Sequence, residues 1–380
     1  MRFNSYPAAE LERRSALATK LKYGPEVVKA EAAAPGATAK NIPFPKGLAP
    51  VPQPMASAPD PNASLPHVDV IAMMDTGPES RAMADVLTPG VEATAWYPYT
   101  KNFEQHYVPL ISPHAPARED SHRLGSYFLT SINKLKVLVY KTELHMHEDA
   151  IKLPNGSYSL PVKDMLAQMI GDAHPRVFLT TGTSGGVYCS MRLGDVVVSR
   201  AARFDCQKDF GPAPFNHQTY KSDWTVPSKR FPQAQKLMQG FASHLTGKTE
   251  PRGTPPDAAC PCSPATYPTD IYLDGTKDIP AFHPILTTDF FEFGTNVNNL
   301  EKIGMAVEMD DACLGLAASE LNAPPHWACV RNLSDPTING QLAAKAQESC
   351  AVYYYAKFGY WTTVMSALTT WAIIAGLGDQ

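Results

Sequence analysis

A chain of 380 residues, 44% of them hydrophobic, holds enough apolar material for one large α/β domain or two modest ones. Its formal charge of −4 comes without a basic stripe interleaved with aromatics, which leaves nucleic-acid binding without electrostatic support. The seven cysteines are an odd set lying mostly in apolar segments, and they read as reduced thiols rather than as a disulfide framework.

Residues 1–65 divide in two. Ala8 to Ala34 carries helix formers and mixed charge and predicts a helical arm. Pro43 to Pro66 is dense in proline and short of large apolar residues, which predicts an extended linker or a strap over the body rather than a core segment. The start of the chain lacks a charged run followed by an apolar stretch, so no secretory signal is expected, and the reduced thiols point to the cytoplasm. A compact domain is expected over 66–380. Its predicted strands are Val68–Met74, Gly125–Thr130, Lys136–Lys141, Arg176–Thr181 and Asp195–Ser199, with helices at Pro78–Leu87 and Pro161–Ile170. This alternation implies a mixed or largely parallel sheet with helices on its faces. Residues 206–283 are rich in Pro, Asp, Thr and Lys. They read as an insertion of ordered loop in which only Pro232 to Leu245 looks helical.

Two apolar strands follow, Ile303 to Met309 and Trp327 to Leu333, with a short Ala/Leu-rich helix, Ala312 to Leu321, between them. Neighbouring strands joined by a helix bring their C-terminal ends to one edge of a sheet, where α/β proteins bind ligands. Those ends carry acids: Glu308-Met309-Asp310-Asp311 on one and Ser334-Asp335 on the other. Helix signals resume at Gln341, after Gly340. The uncharged run Phe358 to Gly378 is about long enough to span a bilayer, but its five Thr and Ser residues and missing basic flank predict a buried helix instead.

Other patterns carry less chemistry. Thr181-Gly182-Thr183-Ser184-Gly185-Gly186, directly after a strand, suits a polyoxygen or anionic ligand, yet no Gly-Lys-Thr/Ser follows and it is not a Walker loop. Ser184 does not sit in a G-x-S-x-G elbow, so a serine hydrolase is not expected. Cys260-Pro261-Cys262 has neither C-x-x-C spacing nor a companion pair and reads as a loop. His145 and His147 have a possible metal-ligand spacing on one face of a strand; with no third ligand in view they read as an exposed strand end. No metal or cofactor is expected.

Five segments in order resemble the nucleoside phosphorylase/nucleosidase superfamily, and within it methylthioadenosine/S-adenosylhomocysteine nucleosidase most. They are Val70-Ile71-Ala72-Met73-Met74 with Glu79; Thr181 to Val187 continuing into Leu193-Gly194-Asp195-Val196-Val197-Val198-Ser199; Thr287-Thr288-Asp289-Phe290-Phe291; Ala306-Val307-Glu308-Met309-Asp310; and Val330-Arg331-Asn332-Leu333-Ser334-Asp335. The arm 1–65 and the insertion 206–283 lie outside the resemblance.

The resemblance implies a single three-layer α/β domain with a central mixed, partly barrel-like sheet flanked by helices. It also implies cleavage of the N-glycosidic bond of an adenosine-type purine nucleoside by a homo-oligomer (dimer, trimer or hexamer), without a membrane or nucleic-acid partner. In that reading Asp335 protonates or hydrogen-bonds the purine N7, supported by Ser334 and Arg331. Glu308, Met309 and Asp310 hold the ribose, Asp310 standing where the family usually has Glu. Phe291 stacks on the base, Thr183 meets the nucleophile, and Glu79, with Asp75 as rival, activates water.

Phosphorylases of the superfamily carry an arginine just before the Gly-Thr/Ser loop, where this chain has Thr180, and that favours hydrolysis. Against it, Gly77-Pro78-Glu79-Ser80-Arg81 resembles, one residue out of step, the phosphate loop of hexameric phosphorylases. A purine or uridine nucleoside phosphorylase, with phosphate as co-substrate at Arg81 and Thr183, is the alternative, and a non-catalytic nucleoside-binding protein the second.

Overall fold

The computed structural model describes residues 6–23, 38–188, 190–245, 269–293, 299–336 and 344–380. Helix α1 (Ala8–Tyr23) precedes a proline-rich strap that contributes a two-residue edge strand, β1 (Val51–Pro52). The body then runs β2 (Val70–Met74), α2 (Gly77–Leu87), β3 (Tyr97–Tyr99), β4 (Gly125–Ile132), β5 (Leu135–Thr142), α3 (Pro161–Ala173), β6 (Val177–Gly186), β7 (Val196–Ser199), β8 (Ala201–Phe204) and β9 (Thr219–Lys221). It continues with α4 (Phe231–Gln239), β10 (Ile271–Leu273), β11 (Ile285–Thr287), β12 (Ala306–Glu308), α5 (Asp311–Ser319), β13 (His326–Pro336) and α6 (Ala344–Leu377).

The expected mixed α/β architecture is present. β2 lies between β5 and β6 and runs parallel to both. All five of its residues are buried, as a central strand covered on both faces requires. β6 is shared by three strands: it pairs with β2, runs parallel to β13 along its whole length, and at Gly185 and Gly186 turns to meet β12 antiparallel. From there the sheet continues through β11 to β8, while β13 continues to β7. β7 and β8 are separated only by Arg200, so the circuit β6–β13–β7/β8–β11–β12 closes on itself, which makes this half barrel-like. Antiparallel β4 and β5 extend the open half, with β1 and β3 on β4.

Local sequence explains the helix starts. Thr76 and Glu79 form a capping box at the head of α2, with Pro78 in its first turn. Pro161 opens α3, which ends with His174 in the left-handed region at φ 46°. The C-terminal helix is buried as expected. Trp371, Ala372, Ile373, Ile374 and Ala375 have no exposed surface, and the hydroxyls of its apolar stretch find partners: Thr370 meets Thr181 at 2.8 Å and Ser366 donates to Asn332 Oδ1 at 2.7 Å. Among the described residues no helix is long and apolar enough to cross a membrane.

Several expectations need correcting. The strap is not wholly outside the core, since Leu48 and Leu65 are buried and Trp371 Nε1 donates to the Leu48 carbonyl at 2.7 Å. The segment expected as loop over 206–283 contains β9 and β10; strands of three residues are too short to show a period of two. The pair expected on an exposed strand end is neither on a strand nor exposed. β5 stops at Thr142, His145 caps the single turn Met146–Asp149, and His145 and His147 are buried. Cys206, Cys313 and Cys329 are buried and unbridged, whereas Cys189, Cys260 and Cys262 lie outside the described residues.

Trp371 anchors α6 to the body through both packing and its indole bond. The substitution Trp371→Ala is expected to cost about 3–5 kcal/mol, read from the denaturant midpoint, because a void of that size collapses only partly.

Candidate active site

The acids of β12 and β13 do converge, but not as neighbouring strands. β12 and β13 are not paired with each other; each pairs with β6. β13 sets Arg331 opposite Gly182 and Asp335 opposite Gly185, while β12 sets Val307 opposite Gly185 from the other side. The C-terminal half of β6 is therefore the floor between the two acidic ends. The β6–β13 register shifts between Leu333 and Asp335, which leaves Ser334 as an extra residue. Such a bulge re-aims the side chains beside it, and here it delivers Asp335 to the cleft.

The cleft is lined by Asp75, Glu79, Thr183, Phe291, Glu308, Met309, Asp310, Arg331, Ser334 and Asp335. Every residue singled out from the sequence is in this set except Arg81. That side chain lies over the Tyr360 ring, 5.1 Å from its centroid, and borders a separate cavity between α2 and the strap. Helix periodicity turns it away from the cleft, two positions on from Glu79. Sequence reasoning missed Ala18 of α1, Thr76, Thr288, Glu292 and Tyr355 of α6, which also line the cleft. Thr76, Thr288 and Glu292 lie within or beside segments already singled out, whereas Ala18 and Tyr355 come from distant segments that nothing local marks.

Arg331 organises the floor. It is buried, and its guanidinium binds Asp75 Oδ2 with both Nη atoms at 3.1 Å, Asp311 Oδ2 through Nε at 2.9 Å and Asp311 Oδ1 through Nη2. Glu308 Oε2 lies 3.4 Å away. A side chain at position 182 would collide with this group: a β-carbon there would stand 2.7 Å from Arg331 Nη1 and 2.6 Å from Glu79 Oε1, so Gly182 is what lets both approach the strand.

Glu79 is fully engaged. Its Oε1 accepts from the Thr183 amide at 2.6 Å and the Thr183 hydroxyl at 2.7 Å, and its Oε2 accepts from the amides of Asp75 at 3.0 Å and Thr76 at 2.8 Å. Glu308 caps α5, accepting from the amides of Asp310 at 2.6 Å and Asp311 at 2.9 Å and from the Thr287 hydroxyl. Burial, and then the charge of Asp311, push its pKa well above the ordinary carboxylate range. Asp310 accepts from the Met146 amide at 2.8 Å, and His145 Nδ1 lies 3.3 Å from its other oxygen. The buried histidine thus fixes the acid expected to hold the ribose.

Asp335 differs from the rest. It faces no cation; its Oδ1 accepts from Ser334 Oγ at 2.8 Å, and its Oδ2 is buried with no hydrogen-bond partner among the described residues. Burial pushes its pKa up to about 7, against a smaller opposing effect of the Ser334 hydroxyl. A neutral carboxyl carries a proton on an oxygen that has nothing else to bind, which is the state of an acid ready to donate.

Phe291 is half-buried at the cleft, with its ring 5.6 Å from the fully buried Phe293. Among the described residues no group of three or more His, Cys, Asp or Glu side chains is arranged to hold a metal ion.

No family model matches the chain, and no curated protein matches it in sequence. Among solved structures it is similar to 5′-methylthioadenosine/S-adenosylhomocysteine nucleosidase from Neisseria meningitidis in complex with methylthio-immucillin-A. That match has 14% identity and a TM-score of 0.45, and covers 81% of this chain and 99% of that one. Futalosine hydrolase of Helicobacter pylori matches at 12% identity and TM-score 0.45, covering 80% and 97%. S-adenosylhomocysteine nucleosidase from Streptococcus pyogenes matches at 14% identity and TM-score 0.44, covering 83% and 99%.

Removing the Arg331 guanidinium takes from buried Asp75, Asp311 and Glu308 the cation that they share. Arg331→Met is expected to destabilise the protein by about 3–5 kcal/mol in urea unfolding. A change under about 1 kcal/mol would mean that the ion cluster is not what holds β13 to β2 and α5.

Proposed function

We propose that the protein is a nucleosidase that hydrolyses the N-glycosidic bond of an adenosine-type purine nucleoside. The observation that carries this reading is one carboxyl set apart in a cleft of acids: Asp335, its pKa pushed up to about 7 by burial, has no partner on Oδ2 among the described residues, whereas Asp75, Glu79, Glu308 and Asp310 are held by Arg331 or by backbone amides.

The chemistry fits that division. Breaking a ribosyl C–N bond places positive charge on the sugar and negative charge on the base. Asp335 delivers its proton to the purine ring nitrogen N7, and general acid catalysis of this kind contributes roughly 10²–10⁴-fold. The carboxylates favour the oxocarbenium ion over the neutral ground state, and it is that difference which lowers the barrier. The Asp310 carboxylate, held by the Met146 amide and beside His145, accepts the 2′ and 3′ hydroxyls of the ribose, with Met309 against the sugar. Phe291 stacks on the base. The Thr183 hydroxyl, donating to Glu79, presents its oxygen to the attacking water, so Glu79 acts on water through Thr183.

Water rather than phosphate is the nucleophile. Among the described residues six carboxyl groups line the cleft (Asp75, Glu79, Glu292, Glu308, Asp310, Asp335), and the one cation there, Arg331, is held by Asp75 and Asp311. A phosphate dianion needs donors of opposite charge, and Arg81 lies in another cavity. No cofactor is required for this chemistry, and no phosphate.

Asp335→Asn is expected to abolish base release while leaving the protein folded. In the wild type the unfolded chain ionises Asp335 near its ordinary pKa of 3.8, whereas the folded chain does so only at about 7. The group therefore makes folding progressively less favourable as pH rises across that window, and the asparagine variant is expected to be no less stable than wild type at pH 8. For the wild type kcat is expected to fall as pH rises through about 7, as the acid loses its proton. Rates should be the same with and without added phosphate; strict dependence on phosphate would replace hydrolysis with phosphorolysis.

A further inference from the structure

We propose that Arg14 of helix α1 is a positioning residue for the purine base: it fixes the segment Phe291-Glu292-Phe293, and through that segment the ring of Phe291. That Phe291 meets a base rests on the nucleosidase reading above; the latch itself is read from the contacts of the arm, which the motif resemblance does not cover.

The segment needs a latch. β11 ends at Thr287, and Phe291, Glu292 and Phe293 belong to no strand or helix. Glu292 and Phe293 are nevertheless buried. Buried backbone outside a ladder must find its hydrogen bonds elsewhere. Upstream, the body anchors the chain through the Asp289 carboxylate, which accepts from the amides of Gln207 and Phe210, both at 2.9 Å. The arm takes hold beyond it. Arg14 Nη1 donates to the carbonyls of Phe291 at 3.4 Å and Phe293 at 3.3 Å. The same nitrogen lies 3.3 Å from Glu292 Oε1, which also accepts from the Tyr6 hydroxyl at 2.7 Å.

The plane of the guanidinium matters as much as its donors. It lies over the rings of Tyr6 at 4.1 Å and Phe293 at 3.8 Å, and the Phe293 ring is in turn 5.6 Å from that of Phe291. Glu10 accepts from Arg14 Nε at 2.8 Å and so holds the side chain to its own helix. Arg14 therefore touches Phe291 twice, through the backbone carbonyl and through the intervening ring, and it does so away from any reacting atom. A lysine at this position would keep a charge near Glu292 but has neither the fork nor the plane.

Calorimetric titration with adenosine tests this, on the full chain carrying Asp335→Asn, which separates binding from turnover. In that parent, Phe291→Ala is expected to weaken adenosine by about 5–150-fold, the loss of one base–aromatic stack. Arg14→Met and Arg14→Lys are each expected to weaken it by at least about 5-fold. The lysine variant, which keeps the charge, is expected to melt like the parent, so that its loss of affinity is not a loss of fold. Combined with Phe291→Ala, neither Arg14 substitution is expected to weaken adenosine further, because a residue that acts through another adds nothing once that other is gone. Equal losses with and without the Phe291 ring would overturn the positioning role, as would a lysine variant that binds like the parent. Binding of no nucleoside by the parent itself would overturn the nucleosidase reading, and the positioning role with it.

Discussion

One buried guanidinium holds the site together. Arg331 leaves β13 and is met by Asp75 from the end of β2 and by Asp311 from the first turn of α5, with Glu308 of β12 at its edge. A buried charge is tolerated only when paired and hydrogen-bonded, so the position of each of these elements is tied to the others. Gly182 is part of the same constraint, because any side chain there would push the guanidinium and Glu79 off the strand.

That cluster also sets Asp335 apart from the other acids. The cation is spent on Asp75 and Asp311, Glu79 on four hydrogen bonds from the β6 loop and the head of α2, and Asp310 on Met146 and His145. Asp335 receives one hydroxyl and no charge, and burial then raises its pKa. Asp335 and the bonded acids thus occupy two different carboxyl environments within one cleft, the kind of difference on which the proposed acid role rests.

Much of this was legible in the sequence. Apolar runs marked β2, β4, β5 and β7, the helix read over Pro78–Leu87 marked α2, and the acids after Val307 and Leu333 marked the site. What escaped was set by tertiary pairing. β12 and β13 read as neighbours because a short helix joins them, yet β6 bends between them at Gly185 and Gly186. Strands β3, β9 and β10 are too short to carry a period. α1 docks through a charged arginine rather than an apolar stripe, so its sequence pattern gives no sign that Ala18 reaches the cleft. His145 was set aside for want of a third metal ligand, whereas its partner is Asp310, which lies in another segment of the chain.

The most direct measurement is product analysis of the full wild-type chain incubated with purine nucleosides at pH 6 to 7, about the pKa of Asp335 and below it. The expected result is free purine base and free ribose in equal amounts, with no ribose 1-phosphate even in phosphate buffer. Nucleoside that binds tightly yet is recovered intact would contradict hydrolysis and make the cleft a receptor site.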